Sequence, residues 1–200
     1  CCILLGTGQF DQMPVFLDQM RAALSPVSKL DQGEYHCLSA WYLLQVGQPT
    51  QAMGEVEIAT DFVDFCGSSI PITLVRVVHA QVHLELGDPV AAGALLEMIR
   101  QDTRCRRSSG IQWIINLASA DCAYAQNRSA EAEHYCRSAF AHARQEGIGM
   151  IYGLSNRRLG AVCAKALEAN IEPETVRELI KRWHLKPPAS ESVSEQWPWP

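Results

Sequence analysis

The sequence predicts an all-α fold: a right-handed superhelical solenoid of antiparallel helical hairpins. Three observations predict it. First, a turn recurs with a period of 40 residues. Leu44-Gln45-Val46-Gly47-Gln48-Pro49 returns as Leu84-Glu85-Leu86-Gly87-Asp88-Pro89, and in decayed form as Tyr124-Ala125-Gln126-Asn127-Arg128-Ser129. Second, small residues keep that register. Ala40, Ala80, Ala120 and then Gly160 precede each turn or its expected place, and Ala52, Ala92 and Ala132 follow it. Third, apolar residues recur on one helix face between the turns, as with Ala91, Ala94, Leu95, Met98 and Ile99. A fixed period of this length is the mark of stacked helix pairs. Such arrays present a curved surface to a ligand or partner.

The elements follow in chain order. Residues 13–24 read as a lone second helix of a hairpin. The first full hairpin has helix A over 31–46, a break at Gly47-Gln48-Pro49, and helix B to about residue 65 with Thr50 as N-cap. Glycine suits the left-handed cap and proline cannot continue a helix. The second hairpin spans 72–86 and 90–102, and the third spans 110–126 and 130–146 with Ser129 as N-cap candidate. A fourth helix A is expected over 150–169. A short last helix follows, with Pro173 near its first turn, Glu174 at its positive end, and Lys181, Arg182 and His184 at its other end. The repeat domain is thus expected over 1–185. Residues 186–200 read as a Pro/Ser-rich linker, Trp197-Pro198-Trp199-Pro200 being the start of a domain absent from this chain.

Composition narrows the function classes. The net charge of −5 argues against a nucleic-acid surface, which needs a cationic face. No apolar run approaches the roughly 20 residues that span a bilayer. The eight cysteines show no Cys-x-x-Cys and no Cys/His pairing with zinc-site spacing. Cys37, Cys122, Cys136 and Cys163 fall among apolar residues of the helical pattern, as small hydrophobes do. A reducing, cytoplasmic compartment is implied. His-Glu-x-x-His and Gly-x-Ser-x-Gly are both missing. The expectation is a non-enzyme without cofactor or metal.

The tail carries a resemblance. Residues 166–182, then Leu185-Lys186-Pro187-Pro188, then Trp197-Pro198-Trp199-Pro200, look like the junction between a helical-repeat domain and a winged-helix DNA-binding domain in large bacterial transcriptional activators. The repeats resemble tetratricopeptide-type hairpins, with a period longer than their 34 residues. They are similar to the sensor domain of the maltose-regulon activator and its LuxR-type relatives. The resemblance implies a signal- or ligand-sensing or oligomerisation domain. Its partner would be a small-molecule inducer or a protein, with self-association into a homo-oligomer left open. DNA would be bound by the absent winged helix. The rival expectation is an interaction scaffold that takes a peptide or partner domain in its concave groove.

The repeat period also picks out a candidate site. His36, Arg76, Asn116 and Asn156 share one position of helix A, and His79, Ser119 and His83 lie on the same face at helical offsets. Stacked units would align them on the concave side, with Arg157 at one end and Trp113 and Tyr152 beside them. Aromatic walls with a few directed polar groups suit a small organic ligand. A solvated helix face or a polar seam between units is the competing reading. Arg104, Arg106 and Arg107 form a basic cluster read as a helix C-terminus complementing the dipole.

Overall fold

The computed structural model describes residues 4–5, 10–64, 69–102, 108–147 and 151–188. Trp197, Trp199, most of the expected linker, and Arg104, Arg106 and Arg107 lie outside them. The described residues are all-helical, with no strand among them. After a 3-10 turn at Phe10–Gln12 come α1 (Met13–Ala23), α2 (Lys29–Gln45), α3 (Pro49–Val63), α4 (Ser69–Glu85), α5 (Pro89–Gln101), α6 (Ser109–Ala125), α7 (Ser129–Glu146), α8 (Asn156–Glu168) and α9 (Pro173–Arg182). None of these helices is long and apolar enough to cross a membrane.

The repeated turn is one structure used several times. Gly47, Gly87 and Asn127 have φ of 75°, 83° and 58°. Each left-handed residue lets the next amide reach back to a helix carbonyl: Gln48 to Leu43, Asp88 to His83 and Arg128 to Ala123, all at 2.8 Å. This satisfies carbonyls that a helix end otherwise leaves orphaned. The chain then re-enters a helix at once, so Pro49, Pro89 and Ser129 all stand at the first helical position. The expected caps move accordingly. Thr50 lies inside α3 and Ser129 is the first residue of α7, so the N-cap positions fall to Gln48 and Arg128, neither of which caps through its side chain. Asp88 does cap, accepting from the Ala91 amide at 3.0 Å. Ser28, Ser108 and Ser155 cap α2, α6 and α8.

Packing follows the small residues. Ala40, Ala52, Ala80, Ala92, Ala120 and Ala132 are all fully buried. Within the second helix of each hairpin one stripe repeats: Ala52, Val56, Ala59 and Val63, then Ala92, Leu96 and Ile99, then Ala132, Cys136, Ala139 and Ala143. Spacings of four, three and four keep a stripe on one helix face. The pairs α2/α3, α4/α5 and α6/α7 pack within hairpins, while α3/α4 and α5/α6 pack between them. The first helices form a layer of their own through α2/α4, α4/α6 and α6/α8. Helix α9 closes the end against α7 and α8, burying Val176, Leu179 and Ile180.

The period breaks once. The next left-handed turn is at Asn170, 43 residues after Asn127. Cys163, fully buried, therefore takes the place of Ala40, Ala80 and Ala120, and Gly160 does not. The helix expected over 150–169 starts only at Asn156. Residues 151–155 ahead of it are non-helical yet almost wholly buried, with Ile151, Tyr152, Leu154 and Ser155 at 1–4% exposure. Gly153, at φ +84°, presses on α4. A Cβ added there would meet Val77 Cγ1 at 2.9 Å and Val78 Cγ2 at 3.3 Å.

Two outcomes test this packing. Gly153→Ala is expected to cost about 2–5 kcal/mol in urea unfolding, combining about 1–2 for a left-handed alanine with about 1–3 for overpacking. Gly47→Ala shares the positive φ but has nothing within 4 Å of the new methyl, so it is expected to cost only about 1–2 kcal/mol. Equal losses at the two positions would contradict the close approach. Cys37, Cys122, Cys136 and Cys163 are all buried, and burial pushes the Cys136 thiol up to about 12 and raises Cys122 and Cys163 as well. A thiolate is the reactive form. In a variant with Cys1, Cys2, Cys66 and Cys105 replaced by Ser, a thiol-specific disulfide reagent should label none of these four until denaturant is added.

Candidate functional site

Residues 151–155 run across the layer formed by α2, α4 and α6. The Leu154 carbonyl accepts two bonds from α2, from Trp41 Nε1–H at 3.0 Å and Gln45 Nε2–H at 2.9 Å. Gln45 turns its oxygen to the Asn156 amide at 2.9 Å, so one amide side chain reads both sides of the chain where α8 begins. The Tyr152 ring packs on Trp41 at a centroid distance of 4.6 Å, and its hydroxyl lies 3.3 Å from Cys37 Sγ. Ser155 donates to Glu85 at 3.0 Å, and Arg157 also pairs with Glu85. Arg158 grips Asp121 through two bonds, at 2.6 and 3.0 Å, and reaches the Leu84 carbonyl at 3.5 Å. Burial pushes the Asp121 carboxyl above its ordinary value although Arg158 pulls it the other way.

The helix residues that meet this segment are Cys37, Trp41 and Gln45 on α2 and Val77, Val78 and Glu85 on α4, while Asp121 on α6 meets Arg158 just beyond it. Trp41, Gln81 and Asp121 are equivalent positions of the repeat, as are Gln45 and Glu85. The face that meets the segment is thus set one residue along from the band through His36, Arg76 and Asn116. One residue is roughly 100° around a helix.

The candidate residues fall into three groups, two of them away from this face. His36, Arg76, His79 and His83 sit along α2 and α4 where carboxylates of α3 and the following turn face them. His36 Nδ1 is 2.8 Å from Glu55 and its ring stacks on Phe62. Arg76 lies 3.9 Å from Asp64. His83 lies 3.8 Å from Asp88 and stacks on His79 with centroids 5.0 Å apart. Trp113 and Ser119 are buried on α6, Trp113 edge-on to Phe140 of α7 at 6.0 Å, while Asn116 is half-buried on the same helix. Tyr152, Asn156 and Arg157 are the members brought against α2 and α4. Leu159, by the 43-residue step, takes the repeat position that the even period gives to Asn156.

Two hollows flank the segment. Glu85, Ser155, Asn156 and Arg157 line one of about 120 Å³, together with Gln45 and the apolar Phe10 and Leu44. An apolar cleft of about 240 Å³ opens beside Tyr152, walled by Leu30, Val63, Ile70, Leu74 and Val75. Glu34, Cys37 and Pro71 complete its described lining. Among the described residues no group of three or more His, Cys, Asp or Glu is placed to hold a metal ion.

The histidine pair gives a pH-dependent outcome. Burial lowers the His79 pKa, and the neighbouring His83 lowers it further, against a smaller opposing pull from Glu57. The folded chain therefore prefers neutral His79, and the unfolded chain takes up the proton first. Stability from this group is full above the ordinary histidine pKa of about 6.5 and is lost as pH falls through it. The urea midpoint should fall between pH 7.5 and 5.5, and His79→Phe should flatten that slope; identical slopes would contradict the burial.

No protein-family model, no curated protein and no solved structure matches this chain.

Proposed function

We propose that the chain is a non-catalytic receiver module, the signal- or ligand-sensing domain of a bacterial cytoplasmic transcriptional regulator. Its hairpins would form a right-handed, tetratricopeptide-like superhelix whose concave side is the layer of α2, α4, α6 and α8. Support for the regulator comes from the tail, residues 166–182 and 185–188 and the Trp-Pro run at 197–200, which resemble a junction with a winged-helix domain. Support for the superhelix comes from the ordered contacts of successive hairpins.

The observation that carries a ligand role is the 240 Å³ cleft. Its walls come from the first hairpin, from α4, and from Tyr152 a hundred residues further on. A ligand there touches three segments at once. It would favour the arrangement that holds all three together, which is how a binding event biases a conformational equilibrium. Small-molecule sites are concave and largely apolar, with a few polar groups. The cleft has that chemistry, Glu34, Cys37 and Tyr152 being its polar members.

A second reading has its own observation. Trp41 and Gln45 already hold a peptide carbonyl, that of Leu154. The same face suits an extended peptide from a partner, provided that residues 151–155 leave. A partner peptide that binds only after Tyr152→Ala and Leu154→Ala substitutions would favour this scaffold.

The first reading is tested by thermal unfolding against a metabolite panel. A ligand at about 100 times its Kd adds about 2.7 kcal/mol. That raises the Tm of a domain this size by several degrees, roughly 2–4 °C per kcal/mol. The expected result is at least one such compound, whose effect disappears in Leu74→Trp, where the cleft is filled. A panel of physiological inducers that leaves Tm unmoved would count against it.

A further inference from the structure

We propose that the cleft beside Tyr152 selects a small hydrocarbon ligand carrying one cationic, hydrogen-bond-donating end, such as a primary amine. This rests on the ligand-receiving reading and names the chemistry of its site. The cleft walls are aliphatic: Leu30, Val63, Ile70, Leu74 and Val75 bring no polar side-chain atom to it. Of the polar groups in its described lining, the Cys37 thiol and the Tyr152 hydroxyl lie 3.3 Å apart and engage each other. The third is Glu34, exposed on α2 one helical turn before Cys37. A carboxylate at neutral pH only accepts hydrogen bonds. The ligand group that complements it must donate, and a positive charge strengthens the bond.

The other charge at the cleft favours the opposite sign but is weaker. Ile70 and Pro71 belong to the first turn of α4, the positive end of a helix dipole. That end amounts to roughly half a charge, and Pro71 supplies no N–H to a ligand anion. A full carboxylate charge outweighs it. The chain's net charge of −5 acts in the same direction.

Three probes with one hydrocarbon chain separate the outcomes: hexylammonium, hexanol and hexanoate. Their affinities for the full chain are measured by calorimetric titration at pH 7.5 and low salt. Binding is located by NMR shifts at the Leu74 and Val75 amides. Hexylammonium is expected to bind at least about tenfold more tightly than hexanoate, with hexanol between them. Glu34→Gln, a change on an exposed position, should bring hexylammonium to the affinity of hexanol and leave hexanol unchanged. If hexanol or hexanoate shifts Leu74 and Val75 as strongly as the amine, or if Glu34→Gln leaves the order intact, the cation preference is wrong while the ligand-receiving reading stands. If none of the three moves those amides, the cleft is not a ligand site and both fall.

Discussion

Two hydrogen bonds from α2 to one carbonyl, that of Leu154, hold the rest of the arrangement in place. Trp41 and Gln45 reach it across 113 and 109 residues of sequence. The carbonyl belongs to a non-helical stretch, so no helix ladder satisfies it, and a buried carbonyl left unpaired costs about 1–3 kcal/mol. Fixing Leu154 fixes its neighbours. Tyr152 falls against Trp41, Gly153 against Val77 and Val78, and Asn156 begins α8 on the oxygen of Gln45. The first hairpin and the last two helices are thereby tied together, although helices adjacent in the chain supply most of the other contacts.

Charge has a different role here. Several ion pairs among the described residues are exposed and close over three or four positions, as with Arg100–Glu97 and Lys165–Glu168, and such pairs contribute about 0–1 kcal/mol each. Arg158–Asp121 differs, with side chains 14% and 6% exposed and two bonds between them. Desolvating both ions offsets much of their attraction, so the pair acts mainly on specificity. Arg158 reaches α6 and the last turn of α4 together, which sets where α8 can lie.

The hairpins were legible in the sequence because their determinants are local. Gly47, Gly87 and Asn127 mark the turns, and the alanines placed around them mark the contact between helices. The fourth unit was not legible. Ile151, Tyr152 and Leu154 look as apolar as any buried helix, and only Gly153 and the cap Ser155 hint at a break. An even period extended past residue 147 therefore lands three residues early, on Gly160 and Asn156 where the turn at Asn170 points to Cys163 and Leu159. The site suffered a second loss. Periodicity shows which residues are equivalent between units but not which equivalent set faces inward. Polarity drew attention to His36, Arg76 and His83, which meet carboxylates beside them. Cys37, Val77 and Gln45 face the crossing segment and carry little chemical signal of their own. Glu85 and Asp121 carried one, as repeat-equivalents of Gln45 and Trp41.

The proposed ligand role depends on residues 151–155 occupying the inner face, because Tyr152 is a wall of the cleft and the rest of the segment fills the groove that a peptide would need. Isotope-filtered NMR on Trp41 tests this occupancy most directly. The account predicts a slowly exchanging Trp41 indole proton, with nuclear Overhauser contacts from the indole ring to Tyr152 and Leu154. A rapidly exchanging indole proton with no contact to residues 151–155 would mean an open groove, and would contradict the account.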